Sequence, residues 1–305
     1  MKAPLKLFCA FALLACCIPA GGQGQTPPWL VQEPYQAVSL AAEENLLRRD
    51  VEFLSHALLR GRGTATRGGV EAAAYIARRL RQSGLAPQIQ TFSCEAGAGH
   101  NIYAVHTGSL KSKRYTLICT HYDSLGERDG VFYPGADANA SGVAVLLFLA
   151  DALKESGANY IFAAFDAHHS GKAGAEAFCS LPYRIASAVS LDTIGSVLAP
   201  PNKYRPDFII ALGANGYERK FFRANMETKL RIYYDYYGSR NFTDYFYRTA
   251  SDLSPFLRKG IPGVMFTSGI TMNTNKATDT ASTLDYEILA RRACFIRNWL
   301  RAIEQ

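Results

Sequence analysis

Imidazole and carboxylate side chains fall in four short runs of this sequence: His121-Tyr122-Asp123, residues 134–142 (PGADANASG, with Asp137), Asp166-Ala167-His168-His169, and Asp192 within residues 190–195 (SLDTIG). Imidazole and carboxylate together suit a borderline divalent ion such as zinc. An acid two residues beyond a histidine can accept the second ring N–H and hold the tautomer that binds metal. A histidine can also move protons near neutral pH. The supply of imidazole is uneven: the six histidines are His56, His100, His106, His121, His168 and His169, and none follows position 169. His56, His100 and His106 belong to none of the four runs and read as ordinary surface or half-buried residues.

Three of the runs follow apolar stretches of strand character at 114–120, 160–165 and 187–191. In open α/β sheets, sites gather beyond the carboxyl ends of the strands. The fourth run leads into an apolar helix at about 140–154. His and Asp side chains are thereby expected at one sheet edge, either as a hydrolytic metal site or as a hydrogen-bonded polar edge without metal. Further strands are expected at 88–93, 101–107, 207–212 and 263–267. Helices are expected at 40–60, 67–83, 215–228, 251–258 and 283–303. Strands alternating with helices indicate a largely parallel sheet covered on both faces. No composition break divides 39–305, so one domain is expected there.

The chain has 305 residues, a formal charge of +7 and 48% hydrophobic positions, an ordinary globular composition. Lys2 and Lys6 precede an apolar run at 7–18 that is too short to span a bilayer, the pattern of a secretory signal over 1–24. Cleavage after Gly24 would release a soluble protein. Leu13-Leu14-Ala15-Cys16 alternatively resembles a lipobox that would anchor the chain through a lipid on Cys16, with Leu14 imperfect for that motif. Either way the product is exported, periplasmic or extracellular. Residues 25–38 read as a Pro/Gln linker. Loss of Lys2 and Lys6 with the signal lowers the charge from +7 to +5. The basic residues are scattered, with Arg291-Arg292 expected on the polar side of the last helix, so nucleic-acid binding is not expected. Cys94, Cys119, Cys179 and Cys294 remain after cleavage, and buried free thiols are favoured over two disulfides.

Taken in order, the motifs resemble the zinc-dependent aminopeptidase family of peptidase clan MH, which includes glutaminyl cyclases. The likeness runs from residues 55–63 (SHALLRGRG) and 68–85 through HYDS at 121, GADANASG at 135 and FDAHHSGKAGAEAF at 165 to SLDTIG at 190, SDLSPFLRKGIP at 251 and NKATDT at 275. It implies a three-layer α/β sandwich with a mixed, mostly parallel eight-stranded sheet. It also implies a site for two zinc ions. One ion is held by a His, a shared Asp and a second Asp. The other takes the shared Asp, a Glu and a C-terminal His, and a neighbouring Glu is the general base.

Carried over one residue at a time, His121 matches the first ligand, Asp123 the acid that orients it, and Asp192 the second Asp. The shared position holds Ala138, with Asp137 one residue early. The paired glutamates, base then ligand, fall on His168 and His169. The C-terminal His falls on Asn275, and the histidine of the family's S-D-H-x-P-F run falls on Leu253. A methyl at 138 removes the one ligand common to both metals, and Asn275 offers only a neutral amide oxygen. One zinc at most is therefore expected, from His121, Asp192, His169 and Asp137 with His168 at the base position, or none. The expected function is non-catalytic binding of a peptide or protein on an aminopeptidase scaffold. The alternative is an active exopeptidase or cyclase-like enzyme with a rearranged mononuclear site. Rings at 233–247 could contact such a ligand, with Tyr233, Tyr236 and Tyr245 as candidates, or could simply pack against the sheet end. Asp279 is expected to cap the last helix or order its loop.

Overall fold

The computed structural model describes residues 39–304. The signal expected at 1–24, the linker at 25–38 and the lipid site at Cys16 lie outside the described residues. Helix α1 (Ala41–Leu54) buries Leu47, Val51 and Leu54 at helical spacing. It stops short of the expected residue 60, because a tight turn follows over Ala57–Arg62, with Arg60 and Gly61 at φ of 45° and 74°. A Cβ on Gly61 would lie 2.4 Å from the Gly126 carbonyl oxygen, so the turn needs glycine there. Helix α2 (Arg67–Gln82) begins where the Thr66 side chain accepts the Gly69 N–H.

The strands are β1 (Pro87–Cys94), β2 (Gly97–His106), β3 (Tyr115–His121), a small hairpin of β4 (Glu127–Arg128) and β5 (Val131–Phe132), β6 (Tyr160–Phe165), β7 (Ile185–Leu191), β8 (Phe208–Leu212), β9 (Arg231–Tyr233) and β10 (Gly263–Thr267). Eight of them form one sheet in the order β1-β2-β6-β3-β7-β10-β8-β9. The central strands β6, β3, β7 and β10 are mutually parallel, as are β8 and β9. Antiparallel pairs join β1 to β2, β2 to β6 and β10 to β8. This is the mixed, mostly parallel sheet expected. Strand β9 is not legible in the sequence, since three residues are too few to show a period of two.

Successive strand residues enter opposite cores, as a pleated strand requires. Ile161, Ala163 and Phe165 join one apolar cluster, and Tyr160, Phe162 and Ala164 join the other. The larger cluster packs α1, α2, α3 (Gly142–Ala152) and α8 (Tyr286–Ile303) on one face. The smaller one packs α4 (Ala173–Cys179), α7 (Ser254–Arg258) and residues around Tyr236 on the other. Helix α3 is apolar and buried from Gly142 to Ala150, which anchors the run before it against the sheet. The short helices α5 (Glu218–Ala224) and α6 (Arg240–Tyr245) complete the set.

Arg292 departs from expectation. It is fully buried rather than on a polar helix face, and its guanidinium donates to the carbonyls of Phe208 (2.7 Å), Ile194 (2.8 Å) and Ser196 (2.9 Å). The side chain thus ties α8 to β8 and to the loop after β7. The four cysteines are free, with Cys119, Cys179 and Cys294 buried and Cys94 half-buried. Among the described residues no helix is long and apolar enough to cross a membrane.

Candidate functional site

The carboxyl ends of β3, β6 and β7 deliver three of the four runs to one edge of the sheet. His121 is the last residue of β3 and pairs in register with Phe165, the last of β6. Asp192 directly follows β7 and donates its N–H to the Phe266 carbonyl of β10 at 3.1 Å. His121 is buried between two acids, with Nδ1 3.6 Å from Asp123 Oδ1 and Nε2 3.7 Å from Asp192 Oδ1. Nδ1 also lies 3.0 Å from the Asp123 carbonyl oxygen, which favours the tautomer protonated there. Burial alone would lower the His121 pKa, but the two aspartates outweigh it and hold the ring well above its ordinary value. Burial would likewise raise both acids, and the contact with His121 instead holds Asp123 and Asp192 low.

Asp123 has a second task. Its two carboxylate oxygens accept the backbone N–H groups of His168 (3.0 Å) and His169 (3.2 Å), which fixes the loop after β6. The His168 ring stacks on His121 with centroids 4.0 Å apart and planes 15° apart. Its Nδ1 lies 3.0 Å from Oδ1 of Asp252, a buried residue just before α7. His121, His168 and Asp252 can each place one donor atom within 4.8 Å of the other two. His169 stands edge-on to His121 at 5.7 Å. Its Nε2 is buried without a partner among the described residues, and burial lowers its pKa to about 4.

A model of peptidase family M28 matches residues 101–300. The chain belongs to peptidase family M28. One curated relative, the alkaline phosphatase isozyme conversion protein of Escherichia coli strain K12, is 31% identical over 140 residues, covering 38% of this chain and 40% of the relative. The M28 chain thus aligns with about two fifths of that protein's length. Solved structures share the fold at low identity. An aminopeptidase from Aneurinibacillus sp. strain AM-1 is 15% identical, with 84% of this chain and 93% of that one covered and a TM-score of 0.67. A zinc aminopeptidase from Bacillus subtilis is 14% identical, with coverage of 86% and 95% and a TM-score of 0.70. A glutaminyl cyclase from Porphyromonas gingivalis is 19% identical, with coverage of 87% and 98% and a TM-score of 0.64.

Within this M28 chain the remaining candidates are placed as follows. Ala138 is buried in the turn Ala136–Ser141 that leads into α3. Asp279 accepts the N–H groups of Asp137 (2.8 Å) and Ala138 (3.0 Å), while the cap of α8 is Asp285, which accepts from Ile288. Asn139 binds the same turn to the sheet, donating to Thr120 Oγ1 (2.7 Å) and the Leu191 carbonyl (2.9 Å). Asp137 commits Oδ1 to the N–H groups of Gly195 (2.7 Å) and Ser196 (3.1 Å) and does not join the His121 group. Asn275 is exposed, with φ of 59°, and Leu253 is buried in the smaller core. Tyr236 packs among Tyr237, Phe242 and Phe246, and Tyr233 sits half-buried against Phe208. Tyr245 is 57% exposed and the most accessible of the three tyrosines. Asp252 is the site residue that sequence reasoning missed, although it lies inside the SDLSPF run.

Donor chemistry decides what this site could hold. The positions to which the resemblance assigns the shared ligand and the last ligand hold Ala138 and Asn275, neither of which supplies an anionic or imidazole donor. One ion does fit a set of imidazole and carboxylate donors around His121.

Asp137 gives a pH prediction. Burial, reinforced by Asp279, pushes its pKa up to about 7. A carboxyl whose folded pKa is raised keeps its proton while the unfolded chain loses it, so its contribution to stability falls as pH rises from about 4 to about 7. His169, depressed by burial, slopes the other way below neutrality, so the two must be separated by mutation. Urea unfolding of Asp137→Asn against the wild type is expected to show the variant gaining with rising pH, by up to roughly 1.4 kcal/mol per pH unit for one proton. A constant gap across that range would refute the assignment.

Proposed function

We propose that this chain is an exported M28-family protein that has lost the two-metal hydrolytic centre, holds one zinc ion at most, and uses the cleft at the sheet edge to bind a peptide or protein. The observation that carries the reading is the turn at 136–141. At the position to which the resemblance assigns the shared metal ligand stands Ala138, and the neighbouring Asp137 turns its carboxylate to two backbone amides. His168 in place of the base and Asn275 in place of the last ligand support the same conclusion. Tyr245, exposed on α6, is the candidate contact for a ligand, since a tyrosine offers apolar area with a hydrogen-bonding tip. Export, as a soluble or a Cys16-anchored protein, is supported by the N-terminal sequence.

The second reading, an exopeptidase or cyclase-like enzyme with a mononuclear zinc, is favoured by one observation, the convergence of His121, His168 and Asp252. A panel of aminoacyl and N-terminal glutaminyl substrates separates the two. The purified mature protein is expected to release product at the uncatalysed rate with and without added zinc. Turnover that a chelator abolishes and zinc restores would overturn the non-catalytic reading.

A further inference from the structure

The two outer strands of the sheet are finished differently. Strand β9 is three residues long and opens on the exposed Arg231, a short charged edge that resists further pairing. Strand β1 runs for eight residues, Pro87–Cys94 (PQIQTFSC), without one charged side chain. An edge strand in an antiparallel pair turns every second N–H and C=O outward. Among the described residues β1 has no backbone partner other than β2. A long, neutral, open edge is a template for another strand. The cover of the sheet is also incomplete beside it. Ile89 and Thr91 pair with Ile102 and His100 of β2, so all four point to the face on which α2 packs. Ile89 and Thr91 form one wall of an apolar groove of about 490 Å³, and Val70 and Ala74 of α2 form the other. Ile89 is 64% exposed and Val70 55%. On the opposite face the strand is engaged: Gln88 accepts the Tyr103 hydroxyl at 2.8 Å, and Gln90 donates to the Ala177 carbonyl at 2.9 Å.

We infer that a second copy of this chain pairs antiparallel with β1, joining two sheets into one across a two-fold axis perpendicular to them. The strand is self-complementary in this arrangement. Centred on Gln90, the pairing sets Ile89 of each copy opposite the partner's Thr91, on the face that carries α2 in both. Each Ile89 then fills the groove that Thr91, Val70 and Ala74 leave open in the other copy. The neutral strand brings no like charges together at the axis. The β2 strands of the two copies lie three strand spacings apart, about 14 Å. Two α2 helices of about 10 Å diameter therefore stand side by side over the joined sheet. Because the same edge serves both copies, the contact closes as a dimer and does not grow further. Strand β1 is two places from β6, so the pairing leaves the cleft open. The two-fold reverses strand direction, and the two clefts face opposite ends of the joined sheet. The dimer thus offers two separate binding sites, whether or not either is catalytic.

The test measures the mass of the purified mature protein by light scattering across a dilution series, with hydrogen exchange on β1 at both ends of it. Expected are twice the chain mass in concentrated solution and a single chain on dilution. Every second amide of β1 should exchange more slowly in the dimer than in the dilute monomer. Thr91→Lys and Ile89→Lys each bring two ammonium groups into the paired grooves, one from each copy. Each is expected to weaken association by at least about tenfold. Both side chains are exposed in the single chain, so the melting temperature of the dilute variants should match wild type. Should Ile89→Lys fail to fold, Thr91→Lys decides. A control on another surface, Phe222→Lys at a residue 74% exposed on α5, should associate as wild type does. A single-chain mass throughout, or a dimer that both β1 variants leave intact, would overturn the inference. So would β1 amides protected alike at every concentration.

Discussion

Replacing Arg62 by Met is expected to cost about 3–5 kcal/mol of stability, the largest effect of any single substitution argued for this chain. Arg62 is fully buried. Its Nε donates to the Tyr122 carbonyl at 2.8 Å and Nη2 to the Gly135 carbonyl at 3.0 Å, while Nη1 serves Leu54 and Pro134. Methionine fills similar volume but takes a donor from each of four carbonyl oxygens, of which that of Gly135 keeps the Ala140 N–H at 3.0 Å. It also removes a positive charge that interacts with Asp279 and Asp123, two acids on which the site's loops hang. Burial pulls the Arg62 pKa down to about 10, so the guanidinium stays charged at neutral pH.

The consequence reaches the site as well as the fold. Tyr122 lies between His121 and Asp123, and Gly135 opens the turn that carries Ala138, so one guanidinium sets two of the four chemical runs. Thermal unfolding of Arg62→Met should begin roughly 10 °C lower than wild type for a domain of this size. Arg62→Lys should recover little, because an ammonium cannot span four acceptors as a planar fork does. A Met variant within about 1 kcal/mol of wild type would show that water or rearranged backbone replaces the side chain.

Arg62 and Arg292 also mark where the sequence stops being legible. Both arginines lie in charged stretches, and a pattern of apolar and polar residues assigns such side chains to the surface. Only the folded chain shows that they gather carbonyls from as far as 73 and 98 residues away. His121 and Asp192, by contrast, are readable because each ends an apolar strand, and parallel strands bring such ends to one edge. Asp252 escapes for the same reason as the arginines. It meets His168 across 84 residues, through a short helix with no strong period. Within the SDLSPF run the resemblance points to Leu253, where the expected histidine is absent, and not to the acid beside it. The early end of α1 is hidden as well, since an apolar period continues past residue 54 and the helix is broken by the extended backbone of His56, at φ of −65° and ψ of 143°.

Restoring the substituted donors together should reverse the chemistry. In the variant carrying Ala138→Asp, His168→Glu, His169→Glu and Asn275→His, zinc content is expected to rise from at most one ion per chain to two. Chelator-sensitive release of N-terminal residues should then appear, at least about 100-fold above background if the carboxylate introduced by His168→Glu supplies general-base catalysis. The fold has features that accommodate these changes. Asp279, four residues after Asn275, accepts the N–H groups of residues 137 and 138, so the two restored donors sit on segments already bound to each other. Asn275 has φ of 59°, a region that histidine enters more readily than most residues. The difficulty lies at position 138, where a new carboxylate joins Asp137 and Asp279 in a buried turn. Without metal, Ala138→Asp alone should therefore lower stability, and zinc should return it. At a thousandfold excess over the dissociation constant the recovery is about 4 kcal/mol. A folded fourfold variant that still binds one ion or none would mean that the spacing of the turn, and not merely its side chains, has moved away from a two-metal site.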